Sequence, residues 1–127
     1  MRQLFLVFLG SGFGGGARYL LGGWFIHNFG VAFPFGTVAI NAIGSFLVGL
    51  IMHLSLSTTL ISSDLRLTLT TGVLGGFTTY STFNYETISL FQQGAALLGA
   101  LNLLVTVVLC LIAGVAGLLL GRWWVPV

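Results

Sequence analysis

Apolar residues dominate this chain in four long stretches, and polar or turn-forming residues interrupt them at only a few points. The first stretch runs approximately from Leu4 to Ile26 and ends near the turn signal HNFG. The second runs from Phe35 to Ser57, behind a short connection holding Pro34. The third extends from Leu65 to Phe91, and the fourth from Ala95 to Trp124. Each has the roughly 20 residues needed to cross about 30 Å of hydrocarbon. The pattern predicts an all-α membrane protein with four transmembrane helices, residues 1–127 forming a single membrane domain. STTLISSD separates the second and third stretches, with Ser63 or Asp64 as the expected helix cap. The connections are too short to hold a soluble domain.

The third stretch differs from the others. Its middle reads GGFTTYSTF, two glycines followed by Phe77 and the hydroxyl run Thr78, Thr79, Tyr80, Ser81 and Thr82. Leu65 to Gly75 makes roughly 16 Å of helix, and Ser81 to Gln92 roughly 18 Å, at 1.5 Å per residue. Neither half spans alone, so the third helix is expected to break mid-membrane, opened by the glycines. Unwound backbone at that depth is tolerated where it is buried in protein or lines a water-filled cavity. Broken helices place ion sites there.

Polar stripes point the same way. On the second stretch Thr37, Asn41, Ser45, Gly49 and His53 recur every fourth residue, and on the fourth Asn102, Thr106 and Cys110 do the same. Residues i and i+4 share a helix face, so each helix offers a polar track. A single hydroxyl would mean helix packing; two tracks beside a hydroxyl-rich break suggest a hydrated or ion-conducting path. Asn, Thr, Ser and Tyr donate hydrogen bonds, and the rings of Phe77, Tyr80 and Phe83 carry positive edges. Glu86 is the one negative group along the tracks. This suits a small hydrated anion, while water or a neutral solute fits the same groups. Intramembrane Arg18 and Glu86 are functional candidates by default, Arg18 as an electrostatic attractor at the mouth of the path.

Composition excludes most other classes. Hydrophobic residues make up 57% and charged residues 5% of the chain, against about a quarter charged in soluble domains. Its mean hydropathy is +1.09. Four arginines face Asp64 and Glu86, with no lysine and no basic cluster, so nucleic-acid binding has no support. Arg2 followed by LFLVFLG imitates a signal peptide, yet the remainder of the chain is equally apolar, and the segment reads as the first span. Both termini then share a side with Arg2, Arg66 and Arg122, which favours that side as cytoplasmic. Arg18 sits toward the opposite end, so mixed insertion stays open. Gly10/Gly14, Gly12/Gly16 and Gly117/Gly121 are spaced for close helix packing. His27 and His53 are expected at the interface. The glycines of GSGFGG lie within an apolar span rather than a strand–turn–helix, and no catalytic motif is assembled.

The residues GxxxGxxxR ahead of Tyr19, PFGTVAIN at 34–41 and TTGVLGGFTTYSTFNYE at 70–86 together resemble the Fluc/CrcB fluoride channel family. The resemblance covers all four stretches. It implies an antiparallel, dual-topology homodimer in the bacterial inner membrane that exports fluoride passively through two pores around a structural sodium ion on the dimer axis. Backbone carbonyls of Gly75 and Thr78 would hold that sodium. Asn41, Tyr80, Phe83 and Glu86 would fall on the fluoride pathway, with Arg18 as the span-one arginine and Cys110 near a pore serine. The residue reading adds Thr37, Ser81, Thr82 and Thr106 to the pathway. Tyr80 and Cys110 depart from the family's phenylalanine and serine. Two rival readings are a dimeric proton-coupled exporter of cationic compounds, which would need a carboxylate in the first span, and a non-conducting packing subunit.

Overall fold

A computed structural model describes residues 1–126, which are helical apart from short connections, with no strand among them. Helix α1 spans Arg2–Phe29 and ends on Gly30, whose φ of 75° suits glycine and whose N–H returns to the Ile26 carbonyl. Helix α2 spans Phe35–Ser57 behind Pro34. Helix α6 spans Ala96–Trp124. These three are long and apolar enough to cross a membrane, and most of the apolar surface of α1 and α6 faces outward.

The stretch between α2 and α6 is subdivided. Helix α3 covers Ser63–Leu67, a π-helical segment covers Thr68–Leu74, α4 covers Gly75–Phe77, and α5 covers Tyr80–Gln92. The cap of α3 is Ser62, whose hydroxyl accepts the Leu65 N–H at 3.3 Å, rather than the expected Ser63 or Asp64. Helix α5 closes with Gly94 at φ 77°: the Gly94 N–H reaches Phe91 O and the Ala95 N–H reaches Leu90 O. This is the paired bonding of a Schellman cap and explains the QQG turn.

The interruption lies beyond the glycines. Gly75 has helical φ −63° and ψ −37°, whereas Thr78 and Thr79 are extended, with ψ of 158° and 110°. The expectation that the glycines open the helix is therefore corrected. Extended backbone suits β-branched residues, and glycine serves here for proximity: a Cβ on Gly76 would collide with the Ser11 backbone, while one on Gly75 would meet nothing closer than Thr70 O at 3.7 Å.

Close backbone approach orders the helices. Gly10 packs against Thr68 and Gly72, and Gly14 against Val73 and Phe77, so α1 runs parallel to the π segment and α4. Gly117 packs on the Phe46 carbonyl and Gly121 on His53, so α6 runs parallel to α2. At Gly12 and Gly16, the remaining spaced pair on α1, a Cβ would find nothing within 4 Å. At one end, Arg2 pairs with Asp64 at 2.9 Å, and the His53 Nε2 lies 3.1 Å from the Val125 carbonyl. That end gathers the start of α1, the 58–62 connection and the end of α6. His53 lies at this end of α2, as expected, and is buried there because Gly121 leaves room for its ring against α6.

Candidate functional site

The two polar tracks meet in one groove of about 550 Å³. Asn41, Ser45 and Gly49 contribute from α2, Tyr80 and Phe83 from α5, and Thr106, Cys110 and Gly114 from α6. The rings of Tyr80 and Phe83 stand 5.7 Å apart, inclined at 61°. Phe83 is buried and Tyr80 is 78% exposed, so the groove is open along its Tyr80 side. Thr78 also lines it.

Hydrogen-bond commitments decide what this groove offers. Ser45 donates to the Asn41 carbonyl at 2.7 Å, and Thr106 donates to Asn102 Oδ1 at 3.3 Å. Both hydroxyls are therefore committed as donors and keep only acceptor capacity for a further partner. The Asn41 amide spends one N–H on the Thr79 carbonyl at 3.0 Å and keeps a second, since an amide nitrogen carries two. With the Tyr80 hydroxyl and the Cys110 thiol, that N–H forms the donor set. The positive edges of the Phe83 and Tyr80 rings add to it.

A second cavity, about 840 Å³, lies toward the α1–α2 turn. Arg18, Thr37, Thr79, Thr82 and Glu86 share its wall. Thr37 donates to Glu86 Oε1 at 2.8 Å, while the buried Glu86 Oε2 has no partner. Arg18 forms no ion pair; among the described residues Arg2–Asp64 is the only one. Of the candidate pathway residues, Asn41, Tyr80, Phe83, Thr106 and Cys110 come together in the groove, and Arg18, Thr37, Thr82 and Glu86 in the second cavity. Ser81 is exposed and lines neither.

Asn102 leaves its track. It is fully buried, donates to Thr87 Oγ1 at 2.9 Å and ties α5 to α6. Thr79, by contrast, was not among the expected pathway residues and proves central to the break. Its hydroxyl caps α5 by accepting the Thr82 N–H at 3.2 Å, and its own N–H donates to Asn41 Oδ1 at 2.8 Å. A threonine three residues ahead of Thr82, just before a helix, was the available signal.

The break exposes acceptors. In a continuous helix the carbonyls of Gly75 and Thr78 would receive the N–H groups of Thr79 and Thr82. Those two N–H groups go to side chains instead, and among the described residues no other backbone bond reaches either carbonyl across the break. Neutral carbonyl oxygens freed in this way suit a hard cation.

Long apolar helices with a polar groove between them define a multi-pass α-helical membrane protein. The chain matches the family model described as "CrcB-like protein, Camphor Resistance (CrcB)" over residues 5–118 and belongs to that family. It is 52% identical over 123 residues to the "Fluoride-specific ion channel FluC" of Anaeromyxobacter sp. (strain K), covering 97% of this chain and 98% of that relative. A protein of the same name from Sorangium cellulosum (strain So ce56) is 48% identical over 122 residues, covering 96% of each chain. Another from Geobacter sulfurreducens is 54% identical over 106 residues, covering 84% of this chain and 86% of the relative. The protein is thus a bacterial cell-membrane protein and not an enzyme.

Proposed function

We propose that this protein is a fluoride-selective channel through which cytoplasmic fluoride leaves the cell by passive electrodiffusion. The observation that carries the reading is the convergence of Asn41, Tyr80, Phe83 and Cys110 from three helices on one groove. Its free donors and ring edges favour an anion, and its walls carry no acidic side chain. A small anion exchanges its water for such a close donor set; a larger one cannot fit the same spacing. Arg18 in the second cavity draws anions toward the Thr37–Glu86 wall, next to the groove.

The remaining architecture belongs to the same proposal. Residues 63–92 make the third crossing of the chain as two half-helices around Thr78–Thr79, supported by the parallel packing of α1 on residues 68–77. The whole of 1–127 is one membrane domain. The open Tyr80 side of the groove is closed by a second copy, inserted antiparallel, and the exposed apolar faces of α1 and α6 meet lipid or that copy. The freed carbonyls of Gly75 and Thr78 fit a structural sodium ion at the dimer axis. When bound, sodium supplies positive charge there. The protein's own part is to hold those two oxygens unpaired.

The test is flux from liposomes holding the purified protein, with no pH gradient. Fluoride is expected to leave rapidly and chloride hardly at all. Comparable chloride efflux, or strict dependence on a proton gradient, overturns the channel reading and favours the coupled exporter, whose required carboxylate α1 does not carry.

A further inference from the structure

A helix interrupted in lipid must find partners for the N–H and C=O groups it frees, because each unsatisfied group costs several kcal/mol there. At this break side chains accept two of the freed amide hydrogens. The Thr79 N–H, which would pair with Gly75 O in a continuous helix, donates to Asn41 Oδ1 at 2.8 Å. The Thr82 N–H, which would pair with Thr78 O, donates to Thr79 Oγ1 at 3.2 Å. The carbonyls of Gly76 and Phe77 would pair with the N–H groups of Tyr80 and Ser81. Neither of those N–H groups is taken by a side chain among the described residues. Side chains therefore take the two amide hydrogens that a continuous helix would give to Gly75 and Thr78.

The Asn41 contact is two-sided. Its Nδ2 donates to the Thr79 carbonyl at 3.0 Å while its Oδ1 accepts from the Thr79 N–H. The side-chain amide thus pairs with peptide 79 as a neighbouring strand would, holding it in its extended conformation at φ −152° and ψ 110°. The orientation of the amide is chemically forced, since the Thr79 N–H only donates and its carbonyl only accepts.

We infer that the side chains of Asn41 and Thr79 are positioning residues for a hard monovalent cation: they withhold from Gly75 and Thr78 the amide hydrogens that would otherwise close the helix over those carbonyls. The inference rests on the sodium reading above. It gives Asn41 two duties, since the residue lines the groove while its amide holds the break open. Cation retention and the anion path then share one residue on α2.

The experiment compares full-length wild type with Asn41→Leu, Thr79→Val and Thr79→Ser in detergent, titrating sodium chloride against N-methylglucamine chloride and reading the thermal midpoint. Wild type and Thr79→Ser are expected to gain stability at similar sodium concentrations. Asn41→Leu and Thr79→Val should need about tenfold more sodium, the equivalent of one lost hydrogen bond. A structure of Asn41→Leu, or of Thr79→Val if the former does not fold, should show the intercepted carbonyl of Gly75 or Thr78 paired four residues on. Unchanged sodium dependence in both variants, or an unaltered break with both carbonyls free, overturns the inference. A wild type indifferent to sodium overturns it together with the cation site. Chloride leakage in the flux assay would strike the fluoride reading alone, because the sodium titration involves no flux.

Discussion

Thr37 on α2 donates to Glu86 on α5 across 2.8 Å, and the other oxygen of that carboxyl group is buried without a partner beside the cavity that Arg18 lines. One bond therefore fixes the direction in which the acidic group faces. Thr37→Val keeps the shape and removes the donor, leaving Glu86 with no side-chain partner. The expected cost is about 1–3 kcal/mol of stability, the usual penalty for an orphaned buried polar group, together with slower fluoride efflux. Thr37→Ser should keep both near wild type. Thermal unfolding and liposome flux read the two effects, and equal behaviour of the Val and Ser variants would return Thr37 to simple packing.

The glycine contacts give a second expectation. Gly14→Ala and Gly117→Ala push a methyl group into the backbone at Val73 and Phe46, and overpacking of this kind costs about 1–3 kcal/mol. Gly12→Ala and Gly16→Ala meet open space within the chain and gain up to about 1 kcal/mol of helix propensity each. Unfolding of the four variants in detergent should separate them into two pairs. Equal losses at all four positions would contradict the packing described for α1 and α6.

Cys110 tests the groove. A hydroxyl donates more strongly than a thiol, so Cys110→Ser should raise fluoride efflux by up to roughly tenfold, corresponding to about 0.5–1.5 kcal/mol. Cys110→Phe fills the space between α2 and α6 and should suppress it. Flux is measured against protein content in the same liposomes. If Cys110→Phe conducts like wild type, the ions do not pass this groove.

Much of this was legible along the chain. The helix limits are marked by apolar runs ended by HNFG, Pro34 and QQG, because Gly30 and Gly94 supply the positive φ those turns require. The tracks on α2 and α6 were legible as fourfold spacing, but not the way they divide. A helix turns 3.6 residues per revolution, so each step of four drifts by about 40°. Over the track Thr37 faces Glu86, Ser45 faces the groove and His53 faces α6. The same drift turns Asn102 into the α5–α6 contact while Cys110 reaches the groove. Adjacent glycines could not reveal that Gly76, not Gly75, meets α1, since that depends on which face the π segment presents. Nor does composition announce the Asn41–Thr79 pairing, a contact across 38 positions.

The winding of Thr68–Leu74 has a consequence for the gene. A π turn holds more residues than an α turn, with bonds reaching back five positions, as Gly75 N–H does to Thr70. Loss of a single codon here would let the segment relax to ordinary pitch and leave the rest of the crossing close to its present phase, because the wide turn absorbs the extra residue. A chain lacking Thr71 is therefore expected to keep fluoride efflux, and loss of flux would show the wide pitch itself to be required. Elsewhere along an α-wound crossing there is no such slack: one residue fewer swivels everything beyond it by about 100°, re-aiming side chains without altering any of them.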